Sequence, residues 1–422
     1  SNFKEDIEEL PIDKIPTLDR DSSIKLGARK MGELLDLVSQ FNIDNMYTQI
    51  NYKNKPVRVT PLEYNGILKY LANFRQGLPG YMMIDIVDGS AELIKLDEGI
   101  KYSKDDLLFR NIWTYARIKY PFDIMYNMEF EIDDNGVPYW VIPSYRPRIG
   151  LMNAKDVSNV ILINAITGES QKFSVDETPQ WVDRVYNADQ IIRQLDWYGM
   201  YQNGWFNSRF AQKNVLQTTE GYNYLALHDD IYMYTGFTSV AGDESNVGFI
   251  LTNMRTKDTK FYPVSSAEEF SAMESSQGAV QEKGYVATFP LLLNIKDKPT
   301  YFLSLKDNAG LIKQYAFIDA QDYQKVATGF TVEEAYEKHT GTIIEDSNFD
   351  ENTEFIETSG TIESIQDVVI NGNTHYYFTL SGDQNVYVSS IKLSEKLPFL
   401  KAGEQITFKY AKTSINEVIS FE

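Results

Sequence analysis

The stretch Val160-Ile161-Leu162-Ile163-Asn164-Ala165-Ile166-Thr167-Gly168-Glu169-Ser170-Gln171-Lys172-Phe173-Ser174-Val175 decides the reading of the fold. Four apolar residues run into an asparagine and a Thr-Gly pair, and an alternating segment follows. Apolar run, turn residues and alternation together describe a strand, a tight turn and a returning strand. The shape recurs over residues 81–94 and 249–262, and more weakly over 315–320. Asp85, Asn164, Asn253 and Asp319 fall at one place in the four copies. A short polar side chain there can accept a hydrogen bond from the backbone two residues on and so hold the turn. Any hairpin-rich chain shows some such pattern, but an Asp or Asn in every copy predicts a repeated unit.

Composition limits what the repeats can do. The 422 residues suggest two to four domains, and 43% hydrophobic content is enough to build real cores. With Lys plus Arg at 40 and Asp plus Glu at 60, the formal net charge is -20. Most of the surface therefore repels nucleic acid and anionic lipid. The absence of cysteine removes disulfides, thiol catalysis and zinc-cysteine sites together. Ser1-Asn2 reads as a remnant of tag removal, so a native start upstream of Phe3 is expected. No window is long and apolar enough to span a bilayer.

In chain order, residues 3–22 read as an extended lead-in with Pro11 and Pro16. Residues 19–41 carry a helical apolar face. Residues 46–59 alternate about Tyr52-Lys53-Asn54-Lys55. Pro61 is expected to open a helix reaching Phe74. A further helix is expected over 104–120, with Ser103 as N-cap. Asp133-Asp134-Asn135-Gly136 sits between alternating runs and predicts a hairpin. Residues 179–186 lead into a helix ending near Trp197. One unit thus reads as helix, hairpin, linker, hairpin and helix, and Pro299-Thr300-Tyr301 echoes Pro138-Tyr139-Trp140.

Several blocks carry a family resemblance: Asn153-Ala154-Lys155-Asp156-Val157, Pro179-Gln180-Trp181-Val182-Asp183-Arg184-Val185-Tyr186, Gln217-Thr218-Thr219-Glu220-Gly221-Tyr222-Asn223-Tyr224, Asp243-Glu244-Ser245-Asn246 and Ala287-Thr288-Phe289-Pro290. With Asn164-Ala165-Ile166-Thr167-Gly168-Glu169, they resemble an uncharacterised family of large membrane-anchored proteins of Gram-positive bacteria. The resemblance spans roughly residues 20–340 and implies transmembrane helices upstream of residue 1. The hairpin-plus-helix unit is also similar to PepSY repeats, small α+β modules found outside the membrane. Neither resemblance supplies catalytic residues.

Residues 340–360 are acidic and read as a linker. The tail then alternates over five short segments, with Asn371-Gly372-Asn373 as a hairpin turn and a Leu-rich piece at 393–400, which resembles a small OB-like barrel. The expected fold is therefore α+β: tandem helix-plus-β-hairpin, PepSY-like units followed by a small all-β OB-like barrel. The expected boundaries are a lead-in at 1–22, an N-terminal α+β unit at 23–125, tandem units at 126–340, a linker at 341–358 and a barrel at 359–422.

No catalytic signature stands out. His228-Asp229-Asp230 could supply metal ligands or an acid–base pair, but the alternating flanks make it more simply a hairpin turn. Gly242-Asp243-Glu244-Ser245-Asn246 offers hard oxygen ligands, and Asp243, Glu244 and Asn246 form a candidate calcium site without EF-hand spacing. A solvated loop is the simpler reading. Trp197, Tyr198, Tyr201, Trp205 and Phe206 are an unusual aromatic density. They could form a peptide or glycan site on a bend made by Gly199 and Gly204, or they could be packing between repeats.

The sequence thus points to a non-catalytic binding or scaffold region on the outer face of the cell membrane. An anchor upstream would hold it there, and its partner would be a cell-envelope protein, peptide or glycan, with no nucleic acid. No cofactor is expected beyond possible calcium. The rival readings are a hydrolase of envelope polymers, which needs a facing carboxylate pair, and a peptidase-regulating PepSY-type module.

Overall fold

In a computed structural model of the chain, the four aligned turn residues make the same bond. Asp85, Asn164, Asn253 and Asp319 each accept, through Oδ1, the backbone N–H two residues on at 2.9 Å. Each also accepts the N–H of the following residue. The residue just after each, Ile86, Ala165, Met254 and Ala320, is fully buried. In the 160–175 copy, Gly168 takes φ +76°, and Tyr102 packs where a Cβ would sit. The structure describes the chain except residues 1–2, 4–6, 148–154, 202–215, 220, 240–244, 265, 268, 342–354, 371–372, 384, 395, 413–415 and 422.

These turns join the last two strands of four antiparallel sheets. The first sheet holds β1 (Phe41–Ile43), β2 (Thr48–Tyr52), β3 (Lys55–Tyr64), β4 (Leu78–Asp85) and β5 (Ser90–Ile100). The second holds β6 (Glu129–Ile132), β7 (Pro138–Pro147), β8 (Lys155–Asn164) and β9 (Ser170–Ser174). The third runs β10 (Leu216–Thr218), β11 (Asn223–Leu227), β12 (Asp230–Ser239), β13 (Ser245–Asn253), β14 (Thr259–Tyr262) and the short β15 (Ser266–Ala267). The fourth runs β16 (Val286–Ala287), β17 (Leu291–Ile295), β18 (Lys298–Lys306), β19 (Ile312–Asp319) and β20 (Val326–Gly329).

All four follow one plan. A first strand broken in the middle pairs with a long second strand. β1 and β2 both pair with β3, β10 and β11 with β12, and β16 and β17 with β18. In the second sheet, β6 and an isolated bridge from Ile124 both pair with β7. A helix stands before each sheet: α1 (Arg20–Glu33), α2 (Ile112–Lys119), α3 (Ala188–Tyr201) and α4 (Glu269–Ala279).

The turn from first to second strand is also repeated. Lys53-Asn54, His228-Asp229 and Lys296-Asp297 all take positive φ at both positions, between 48° and 64°. This is the type I′ hairpin turn, which suits the strand twist and favours Asn-Gly. Lysine and aspartate carry a Cβ that this conformation crowds. Replacing Lys296-Asp297 with Asn-Gly is therefore expected to stabilise the protein by about 1 kcal/mol, read by urea unfolding. A loss of stability would contradict the turn type.

Successive sheets pack face to face. Tyr81, Met82 and Ile84 of the first share a core with Phe130, Trp140 and Ile161 of the second. The opposite face of the second, with Val141, Val160 and Leu162, packs with Ile231, Met233 and Met254 of the third. Phe249 of the third meets Tyr301 of the fourth edge-on, with ring centroids 6.1 Å apart. The N-terminal residues close the circuit. Asn294 Nδ2 donates to Ile7 O at 2.8 Å, Ser304 Oγ to Thr17 O at 2.7 Å, and Thr17 N to Ile86 O at 2.7 Å. Lys306 pairs with Asp19 at 2.6 Å, and Asp19 also caps α1. Four antiparallel sheets in a ring about a central space, each with four main strands when a broken first strand is counted once, is the plan of a small β-propeller.

The expected α+β chain of helix-plus-hairpin units is overturned. The structure is mostly β, 46% strand against 23% helix, and its unit is a four-stranded sheet. The 160–175 hairpin is half of such a sheet. The other half escaped notice because its first strand is broken. Two helix readings hold only in their C-terminal part. Pro61 lies inside β3 and its helix begins later, spanning Ile67–Asn73, and residues 104–120 yield only Ile112–Lys119, capped by Asn111. Ser103 instead accepts the N–H groups of Asp105 and Asp106 in a turn.

The chain divides into two compact units, Ser1–Thr328 and Gly329–Glu422. The second carries a helix, Val332–Thr340, and a closed barrel of β21 (Phe355–Ile370), β22 (Asn373–Leu380), β23 (Val386–Ser390), β24 (Gln405–Ala411) and β25 (Asn416–Phe421). The order is β21-β22-β23-β25-β24, with β23 and β25 parallel. The rings of Phe378, Tyr387 and Phe408 fill its core. The 16-residue β21 reaches both neighbours. Within it, Gly360 leaves room for Leu380, which a Cβ would meet at 2.8 Å.

Candidate functional site

The breaks in the first strands of the first, third and fourth sheets converge on one cavity of about 740 Å3 in the first unit. Its wall takes Met46 and Tyr47 from the first sheet, Glu129 from the second, Tyr222 from the third, and Phe289 and Leu291 from the fourth. The inner edges meet there. Thr48 Oγ1 donates to Glu129 Oε2 at 3.1 Å, and Asn223 Nδ2 donates to Phe289 O at 3.4 Å.

Two buried guanidinium groups line this space, Arg58 at 7% and Arg184 at 8% exposure, beside the exposed Arg20. Arg58 donates to Leu18 O at 2.7 Å, Ser23 Oγ at 2.9 Å and Gln49 Oε1 at 3.1 Å. Arg184 donates to Tyr224 Oη at 2.7 Å and to Gln49 O at 3.4 Å. Its guanidinium also lies 4.1 Å from the centre of the Tyr224 ring, a cation–π contact. Gln49 thus bridges the two cations. No described carboxylate forms an ion pair with either of them. Burial lowers Arg58 to about 10, although Asp19 nearby favours its charge. Arg184 Nε and Gln49 Nε2 are buried donors without a partner among the described residues.

Beneath Arg184 lies a buried acidic pair. Glu131 is fully buried and accepts the backbone N–H groups of Asp183 at 2.9 Å and Arg184 at 2.8 Å. Asp183 accepts the N–H of Asn51 at 2.7 Å, while its other oxygen, Oδ1, has no described partner. Burial pushes Glu131 up to about 7, against the pull of those two N–H groups. Burial and the neighbouring Glu131 push Asp183 well up. Asp183→Asn keeps an acceptor for Asn51 and removes one charge. It is expected to stabilise the protein by ~1 kcal/mol or more near pH 8. A lower melting temperature for the variant at that pH would contradict this account.

Three of the five carboxylates on the cavity wall are held by structural bonds, and the other two, Asp21 and Asp189, are exposed. Asp19 pairs with Lys306, Asp44 with Lys104 at 3.2 Å, and Glu129 accepts from Thr48. His228 sits in its type I′ turn, 53% exposed, with Nδ1 3.4 Å from Glu8.

The sequence-derived candidates lie elsewhere. Trp197, Tyr198 and Tyr201 fall in α3, which continues as a helix through Gly199 instead of bending there. Tyr198 is exposed. Trp205 and Phe206 lie outside the described residues, as do Asp243 and Glu244. Asn246 is buried, and its Nδ2 donates to Glu269 Oε2 at 3.1 Å and to Tyr301 Oη at 3.4 Å. Among the described residues, no group of three or more His, Cys, Asp or Glu could hold a metal. Nor is any described helix long and apolar enough to cross a membrane.

Arg58 and Arg184 were missed, though both left a trace. Arg58 stands between Val57 and Val59 in an apolar strand, and Asp183-Arg184 interrupts an apolar block. A charge inside an apolar run calls for a buried partner or a ligand.

No family model matches the chain, and no curated protein matches it. Two solved structures are similar in part. One is an exo-1,5-alpha-L-arabinanase from a bovine ruminal metagenomic library, at TM-score 0.18 and 9% identity, covering 91% of this chain and 99% of that one. The other is a B. megaterium levansucrase mutant, at TM-score 0.19 and 9% identity, covering 96% and 91%. At these TM-scores neither likeness bears on fold or activity.

Proposed function

We propose that this chain is a non-catalytic binding module of a bacterial cell-surface protein, with its ligand seated in the cavity at the hub of the four sheets. The observation that carries this reading is the convergence of three broken first strands, with Glu129 from the second sheet, on one space. A break in a strand frees backbone and side chains from sheet pairing, and three such breaks facing one cavity make a recognition site. The structural bonds on Asp19, Asp44 and Glu129 hold the three half-buried wall carboxylates, and the remaining two, Asp21 and Asp189, are exposed to solvent, which favours binding over hydrolysis. In this reading an anchor upstream holds the module on the outer face of the membrane, and the ligand is an envelope peptide or glycan.

The test is a library of short peptides and cell-wall glycan fragments, screened against the whole chain by ligand-observed NMR, with product release followed in parallel. Ligands that shift resonances of Tyr224 and Leu291 without turnover are expected. Hits that leave those residues untouched, or any product formed, would overturn the reading.

A further inference from the structure

We infer that the group bound at the hub is a carboxylate, received by Arg58, Gln49 and Arg184; this rests on the cavity being the ligand site. A guanidinium carries five N–H donors. Protein acceptors take three from Arg58 and two from Arg184. Among the unused donors, Arg184 Nε is buried without a described partner, and so is Nε2 of Gln49.

Two buried cations and a buried amide, all lining one cavity and short of acceptors, select an anionic acceptor. Tyr224 does not neutralise the site, because burial pushes its phenol upward and keeps it un-ionised. The wall also carries five carboxylates, Asp19, Asp21, Asp44, Glu129 and Asp189, against the outer cations Arg20 and Lys104. These carboxylates repel a doubly charged phosphate more than a singly charged carboxylate. A cavity of about 740 Å3 has room for more than the carboxylate itself, so the ligand is a short chain ending in one.

The experiment is calorimetric titration of the whole chain with N-acetyl-trialanine and with its C-terminal amide, followed by inorganic phosphate. The acid is expected to bind saturably and the amide about tenfold or more weakly. Phosphate is expected to compete weakly. Gln49→Glu is the informative variant. It keeps the acceptor for Arg58, removes the unpartnered Nε2 donor, and places a carboxylate between the two cations. This variant should fold at least as stably as the parent and lose the acid at least about tenfold. Arg184→Gln should lose it comparably.

Equal binding of acid and amide, undiminished binding to Gln49→Glu, tighter binding of phosphate, or no binding of the acid would each overturn the inference. A neutral fragment that still shifts Tyr224 and Leu291 would leave the hub as the ligand site while removing the carboxylate. Loss of both would remove the hub reading as well.

Discussion

Replacing Trp140 with alanine is expected to cost about 3–5 kcal/mol of stability. Trp140 has no exposed surface and lies in the core shared by the first and second sheets, its ring 5.3 Å from that of Phe130. Its Nε1 donates to Tyr102 O at 2.8 Å. Alanine leaves a cavity between two sheets and a carbonyl without its donor. Both losses fall on one interface, so the two sheets should separate at lower denaturant than the rest of the first unit. Urea unfolding followed by fluorescence and circular dichroism measures this. A variant as stable as the parent would show that the two sheets do not share a core.

Stability should also fall as pH rises from about 4.5 to about 7. The sign follows from Glu131, whose ordinary value is 4.5 and which burial raises to about 7 in the folded protein. Between those values the folded state holds a proton that the unfolded state has released. Folding is therefore favoured on the acid side and weakened as pH rises through the window. For Glu131 the full change is on the order of 3 kcal/mol, and Asp183 adds in the same direction. Asp106, buried beside Ser103 and raised to about 6, acts with the same sign. Arg184, Glu129 and Asp230 are the other charges acting on the pair. Comparing melting temperature against pH for the parent and for Glu131→Gln isolates the pair, since Glu131 also raises Asp183 while the groups beyond the pair contribute nearly equally to both. The variant should show a shallower fall between about pH 5 and pH 7. Parallel curves would mean that Glu131 does not hold its proton.

What could be read in the sequence was local. Asp85, Asn164, Asn253 and Asp319 announced their turns because an Asx turn needs only its own residue and the next two amides. His228-Asp229 announced a hairpin because its flanks alternate. The grouping of hairpins into sheets was not legible. A first strand such as β16, only two residues long and separated from β17, carries too little period-2 signal to register. Pro61 misled because a proline at the start of a helix and one in a strand look alike without knowledge of which edge is free.

The hub was less legible still. Gln49 and Arg58 face each other across the β2–β3 hairpin, but Arg184 lies 135 residues from Gln49, and only the packing of the sheets brings it to them. The aromatic cluster that begins in α3 drew attention because Trp and Tyr crowded together are conspicuous. An arginine inside an apolar strand is quieter, but it carries a larger desolvation cost, and that cost made it the better guide to the site.

The most direct test of the account is the arginine side-chain Nε–H spectrum of the whole chain during titration with N-acetyl-trialanine. The account predicts that the Arg184 Nε–H resonance, assigned through Arg184→Gln, moves downfield and saturates with the calorimetric binding curve. It also predicts that the surface arginines stay in place and that Gln49→Glu abolishes the movement. An Arg184 resonance that stays fixed while the peptide binds would contradict a carboxylate seated at the hub of the four sheets.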